Sequence, residues 1–169
     1  GYRKVRELLR LRRALDADLP APVLPEGVAL RPFEPGRDEA AVVHVNHRAF
    51  SWHPEQGAMS VEDLRRKEEE PWFDPAGFLL AVDAGGRLLG VHWTKAHSAS
   101  LGEVYVVGVD PDAQGGGLGK AITLAGLAHL RDTGRTEVML YVESDNAAAL
   151  AVYTRLGFRR WDSDAQYAR

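Results

Sequence analysis

The 169-residue chain contains no cysteine. That absence excludes disulfides, thiolate nucleophiles and cysteine-ligated zinc, and it fits a reducing compartment. Any nucleophile must then come from the substrate, or from Ser, Lys or a carboxylate. Long apolar runs are also missing: nothing approaches the roughly 18 consecutive apolar residues of a membrane helix. The opening GYRKVRELLR lacks the apolar core of a signal peptide. A cytoplasmic protein without a membrane partner is the expectation. Excess positive charge is lacking as well, with a formal net charge of -3 and a pI near 6.1, so a general polyanion binder is disfavoured and no nucleic-acid partner is expected.

What is present suits one well-packed core, since the chain is 45% hydrophobic and too short for two domains of ordinary size. Basic residues cluster at residues 3–13, where Arg3, Lys4, Arg6, Arg10, Arg12 and Arg13 face a single Glu7. An arm for phosphates or RNA is one reading. A solvated helix face or connector is the other, and the lack of interleaved aromatics favours it. The following LPAPVLPEG carries three prolines, which forbid a regular helix and favour a stiff, extended connector. Residues 1–27 are therefore expected to be a basic connector, helical at its start, and residues 28–169 the domain proper.

Along that domain, Val28, Leu30 and Phe33 suggest a strand. A helical apolar pattern follows through Ala41, Val42, Val45 and Ala49. Residues 60–70 suggest a second helix, with Ser60 as N-cap and Asp63 three residues on. Residues 77–83 and 87–97 resemble a hairpin turned on Gly85 and Gly86, and residues 103–109 a further strand. Helical spacing over 117–133, a β-rich 137–142, helical spacing over 146–156 and a closing strand over 158–167 complete the order. The fold class expected is α/β: a mixed, mainly antiparallel sheet flanked by helices, with a parallel pair formed by the fourth and fifth of these strands.

The strongest local signal is VYVVGVDPDAQGGGLGKAI, an apolar strand that runs through Asp-Pro into a glycine-rich loop and then an amphipathic helix. Such a junction puts consecutive backbone N–H groups at the positive end of a helix dipole, and glycines let an anion approach them without Cβ obstruction. A diphosphate suits it. The loop lacks the Lys-Ser/Thr pair of a P-loop and the acidic residue of a dinucleotide fingerprint. A flexible turn before a helix is the plain structural alternative.

This segment resembles the GNAT acyltransferase superfamily, whose Gln/Arg-x-x-Gly-x-Gly/Ala signature matches Gln114, Gly117 and Gly119. The downstream YVESDNAAALAVYTRLGF is similar to that superfamily's fifth strand and following helix. Within it, FSWHPEQG, LLGVHWTKAH, LGEVYVVGVDP and YVESDNAAA resemble the C-terminal, catalytic half of the mycothiol synthase family. The resemblance implies acetyl-CoA as donor and a small-molecule amine as acceptor, cysteinyl-glucosaminyl-inositol. It also implies a monomer whose N-terminal half is missing here. Coenzyme contacts fall on Val107, Gly108 and Val109, on Gln114, Gly115, Gly116 and Gly117, on Leu118, Gly119 and Lys120, and on Asn146 and Ala149. Acceptor contacts fall on Glu55, Lys95, Glu103 and Tyr141. The Arg common after the loop glutamine is replaced by Gly115, so backbone amides carry the contact and weaker coenzyme affinity is expected.

Acetyl transfer to an amine requires a neutral amine, a stabilised carbonyl oxygen and a proton for the departing thiolate. By resemblance, Glu103 is the general base, acting through water; a rim carboxylate is its ordinary alternative. Strand alternation puts Glu103 on one face with Tyr105 and Val107 unless a bulge intervenes. The Val107 amide is implied as the oxyanion donor. Tyr153 lies seven residues after Asn146, so both project from a similar helix face, and the resemblance makes it the acid; a helix-core aromatic is the alternative. None of the six histidines shows metal-ligand spacing, so no metal is expected, and His92 and His97 are expected on the strand face near the cleft. Two other functions stay open: an acetylase of protein N-terminal or other small amines, and a coenzyme-binding domain without turnover.

Overall fold

The alternation Leu9-Arg10-Leu11-Arg12 has the two-residue period of a strand, and the computed structural model makes Arg3–Ala14 a strand, β1. The structure describes residues 3–16, 18–51 and 56–168. β1 lies inside the sheet, antiparallel to Glu137–Glu143 (β6) on one side and Arg159–Ala168 (β7) on the other. The helical lead-in expected there is thus corrected, and so is a domain that begins near Val28. Leu9, Leu11, Leu15 and Leu19 are buried core residues. Each contributes about 1.5–3 kcal/mol on burial, enough to override the helix propensity of Arg, Glu and Leu. The proline-rich stretch after Leu19 is irregular and Val23 within it is exposed, as a connector should be.

The remaining elements follow the expected order. They are β2 (Ala29–Pro32), α1 (Glu39–Ala49), α2 (Val61–Glu68), β3 (Phe78–Val82), β4 (Leu88–Ala96), β5 (Leu101–Val109), α3 (Leu118–Asp132), then β6, α4 (Ala147–Arg155) and β7. α2 starts on the foreseen capping box, with Ser60 Oγ accepting from the Asp63 amide and the Asp63 carboxylate accepting from the Ser60 amide. The sheet order is β2-β3-β4-β5-β6-β1-β7. All neighbours are antiparallel except β5 and β6, which are the fourth and fifth strands when counted from Val28.

Two cores sit on opposite faces. On one, Leu124, Leu127 and Leu130 of α3 pack on Val104, Val138, Leu140, Leu9 and Leu11. On the other, Val42 and Val45 of α1 and Leu64 of α2 pack on Phe33, Phe78, Leu80 and Trp93. Two glycines let the layers close. A Cβ at Gly126 would come within 2.0 Å of the His92 ring, and one at Gly108 within 3.2 Å of the Ala49 methyl, so α3 and α1 each rest directly on the sheet.

Candidate active site

β5 and β6 pair only through Leu101, Gly102 and Glu103, opposite Glu137, Val138 and Met139. Beyond Glu103 the two strands splay, and one side of β5 is left without a strand. Which groups face that gap follows from the other side. The Asp110 amide donates to the Leu89 carbonyl at 2.8 Å, so residues 89 and 110 form a hydrogen-bonded pair. Alternation then makes His92/Val107 and Gly90/Val109 non-bonded pairs. The amides of Val107 and Val109 therefore point away from β4 and toward the gap.

A bulge decides which side chains stand on each face. Trp93 pairs with Val106 but Thr94 with Val104, which leaves Tyr105 as an extra residue. Val104 and Val107 pack on the α3 side, whereas Tyr105 and Val106 both pack on the α1/α2 side. Glu103 consequently shares a face with Tyr105 but not with Val107, correcting the unbulged alternation. Glu103 and Val107 come from one strand, but their side chains stand on different faces.

At the end of β5 the chain is pinned before it enters the glycine loop. Asp110, 2% exposed, accepts from Arg48 Nε and Nη2 of α1 at 2.9 and 3.2 Å and from its own loop's Asp112 amide at 2.9 Å. The Arg48 hydrogen bond holds the Asp110 carboxyl below its ordinary range. Gln114 turns its side-chain amide back to the Val109 carbonyl at 3.2 Å. Gly115 and Gly117 have φ of 91° and 83°, a region glycine enters without strain, and Gly117 is the N-cap of α3. Among the described residues, the amides of 115–120 donate to no backbone or side-chain acceptor, and a Cβ at Gly115, Gly116 or Gly117 would meet nothing within 4 Å. A row of free donors with open space above, at a helix N-terminus, fits a diphosphate. Leu118 is buried as an anchor, a Cβ on Gly119 would meet Val109 at 3.7 Å, and Lys120 is exposed.

α4 supplies the rest of this side. Asn146 caps it, its Oδ1 accepting from the Ala149 amide at 3.1 Å. Ala149 and Tyr153 rest on the same core cluster as Val107, so the sequence-predicted coenzyme and acid residues converge there. Gly108 differs: it faces Ala49 of α1 and Phe50, the C-cap of that helix. Tyr153 meets Phe158 edge-on at 5.6 Å, and burial pushes its hydroxyl up to about 12.

The face expected to take the acceptor is made of side chains. Lys95 is the cross-strand partner of Glu103, and its ammonium sits 4.5 Å from the Trp72 ring centre and 5.4 Å from that of Tyr105, a cation–π arrangement that fixes the amine. His97 Nε2 lies 2.5 Å from Glu103 Oε1. Tyr141 stands two residues beyond Met139 of β6, which neighbours Glu103, and is 49% exposed on that face. Glu55 lies outside the described residues. A cleft of about 650 Å³ adjoins, lined by Asn46, Met59, Arg66, Lys67, Trp93 and Tyr105 among others. His92 belongs elsewhere, correcting its expected place near the cleft. It is fully buried under α3 with Nδ1 on the Ile122 carbonyl at 2.8 Å, and burial brings it down to about 4. Among the described residues no group of three His, Asp or Glu side chains could hold a metal ion, and no helix is long and apolar enough to cross a membrane.

Sequence reasoning missed Asp110 with Arg48, the aromatic walls around Lys95, and the His97–Glu103 contact. The Asp-Pro at the strand end was a signal for the first. The other two depend on strand register and had no local signature.

A splayed strand pair, a free-amide loop at a helix N-terminus and a carboxylate beside the gap define an acyltransferase-type site. The chain belongs to the acetyltransferase (GNAT) family, whose model matches residues 42–158. It is 72% identical over 169 residues to the mycothiol acetyltransferase of Actinosynnema mirum, covering 99% of this chain and 57% of that protein. It is 63% identical to the mycothiol acetyltransferase of Saccharopolyspora erythraea, covering 100% of this chain and 56% of that one. The chain thus spans little more than half the length of these relatives. Among solved structures, a GCN5-related N-acetyltransferase from Sphaerobacter thermophilus superposes with a TM-score of 0.80 at 29% identity, covering 99% of this chain and 52% of that chain.

Proposed function

We propose that this chain carries the acetyl-transferring site of a mycothiol acetyltransferase, moving acetyl from acetyl-CoA to the cysteinyl amine of cysteinyl-glucosaminyl-inositol. The observation that carries this reading is Glu103 beside the β5/β6 gap, on a face with Lys95 and Tyr141, in a chain 72% identical to a protein named mycothiol acetyltransferase. Acetyl-CoA supplies the acetyl group as a thioester. The amides of 115–120 hold its diphosphate, the Val107 amide donates to the carbonyl oxygen as charge builds there, and Glu103 takes a proton from the acceptor ammonium, through water, to leave a nucleophilic lone pair. The Tyr153 hydroxyl donates to the departing sulfur. Its raised pKa keeps that hydrogen in place throughout the neutral range.

Lys95, Tyr141 and Glu55 serve the polyhydroxylated acceptor, and the cleft beside Trp93 and Tyr105 gives it room. The protein acts as a monomer in the cytoplasm, needs no metal, and works with an N-terminal half of the kind its longer relatives have room for. The test is calorimetric titration of acetyl-CoA, followed by addition of cysteinyl-glucosaminyl-inositol with colorimetric detection of free CoA thiol. Binding with thiol release on that acceptor is expected. Release only with a peptide or another amine changes the acceptor, binding without release under any acceptor makes this a coenzyme-binding domain, and no binding overturns the reading.

A further inference from the structure

His97 makes a contact that the reaction above leaves unused. It follows β4 directly, and its amide and that of Ser98 both bond the Leu101 carbonyl at the turn into β5. The ring is thereby brought back over the strand pair, with Nε2 2.5 Å from Glu103 Oε1. The carboxylate side chain is 8% exposed and the imidazole 33%, so one end of the pair lies in protein and the other in water. Two facing lone pairs would repel at this separation, so a proton lies between the atoms.

Other charged or titratable groups near the pair have their own ties. Lys95 sits over Trp72 and Tyr105. The Arg135 guanidinium bonds the carbonyls of Ser98 and Thr133. From β6, Met139 neighbours Glu103 and Tyr141 follows on the same face. Among the described residues, His97 is the side chain that hydrogen-bonds Glu103.

The geometry points to His97 as a positioning residue for acetyl transfer: it acts through Glu103, holding Oε1 so that Oε2 meets the acceptor amine. This rests on the reading of Glu103 as the base. In the step, an N–H bond of the ammonium breaks and an O–H bond forms at Oε2, directly or through one water. The electron pair stays on nitrogen, and the proton passes to solvent before the next turnover. The shared N–H orients the carboxylate and leaves Oε2 free to take the proton.

The experiment compares pH profiles of kcat/KM for the acceptor in H97A, H97Q, E103Q and the H97A/E103Q double variant. H97A is expected to lower kcat about tenfold with the KM for acetyl-CoA unchanged. H97Q keeps an N–H for Oε1, so it should recover to within about threefold of wild type. In the E103Q background, H97A should add no further loss. A slow E103Q with H97A and H97Q at the wild-type rate and profile overturns this proposal alone. So does an H97A loss that persists undiminished beside E103Q. An E103Q protein at the wild-type rate overturns the base reading and this proposal with it.

Discussion

The two sides of β5 are made of different material. Toward the proposed coenzyme site, the groups are backbone: amides of Val107 and of 115–120, kept free by a splayed strand and a helix start. Toward the proposed acceptor site, they are side chains, Lys95, His97, Glu103 and Tyr141, drawn from three strands and the turn after β4. A backbone site exists because atoms are absent, so it is broken by adding them. A side-chain site is broken by taking atoms away.

The largest effect is expected from removal on the acceptor side. Glu103→Gln should lower kcat about 10²- to 10³-fold near neutrality, and the deficit should shrink at alkaline pH, where the amine is already neutral; a pH–rate profile checks both. Addition on the coenzyme side comes next. Gly119 has only Val109 within 4 Å of a built Cβ, so Gly119→Val should fold with a Tm within a few degrees of wild type while calorimetry shows acetyl-CoA binding about tenfold weaker. An unchanged affinity would move the diphosphate off this loop.

Tyr153→Phe keeps the ring against Phe158 and removes one hydroxyl. Turnover should fall about three- to tenfold with coenzyme affinity preserved, whereas equal turnover would leave Tyr153 as packing. The smallest effect on activity belongs to a carboxyl outside the site. Burial first, then the neighbouring Glu39, pushes Glu68 up to about 7, so the folded state favours its neutral form. Its contribution to stability is fully present at acid pH and lost as pH rises through about 7. Glu68→Gln should therefore raise Tm by about 2–4 °C in alkaline buffer, leave it unchanged in acid, and spare turnover; thermal melts at both pH values decide it.

This division also explains what the sequence discloses. The coenzyme side follows from glycine spacing and a strand–loop–helix order that occupy one stretch of chain, and the free amides at 115–120 need nothing remote. The acceptor side depends on register. The bulge at Tyr105 that turns Glu103 away from the Val107 face leaves no mark in LGEVYVVGV, and the reach of His97 to Glu103 exists only once β4 and β5 are paired. Lys95, Glu103 and Tyr141 were named through resemblance to a family, not through spacing. The same logic governs β1. Its Leu9-Arg10-Leu11-Arg12 alternation was readable, but its helix-forming composition spoke against it, and the strands that settle the matter lie more than 120 residues further on.

That distance has a consequence in time. β1 is made before the other elements described here, yet the strands on either side of it are among the last of them. Until they arrive, Leu9 and Leu11 have no Val138 or Leu140 to cover them, and the sheet cannot close from its near edge. Synthesis from the N-terminus therefore yields a β2-to-β5 hairpin layer first, with an apolar strand waiting beside it. Non-local pairing of this kind slows folding and lengthens exposure to aggregation. The segment that least resembles a strand in composition holds the final step of assembly.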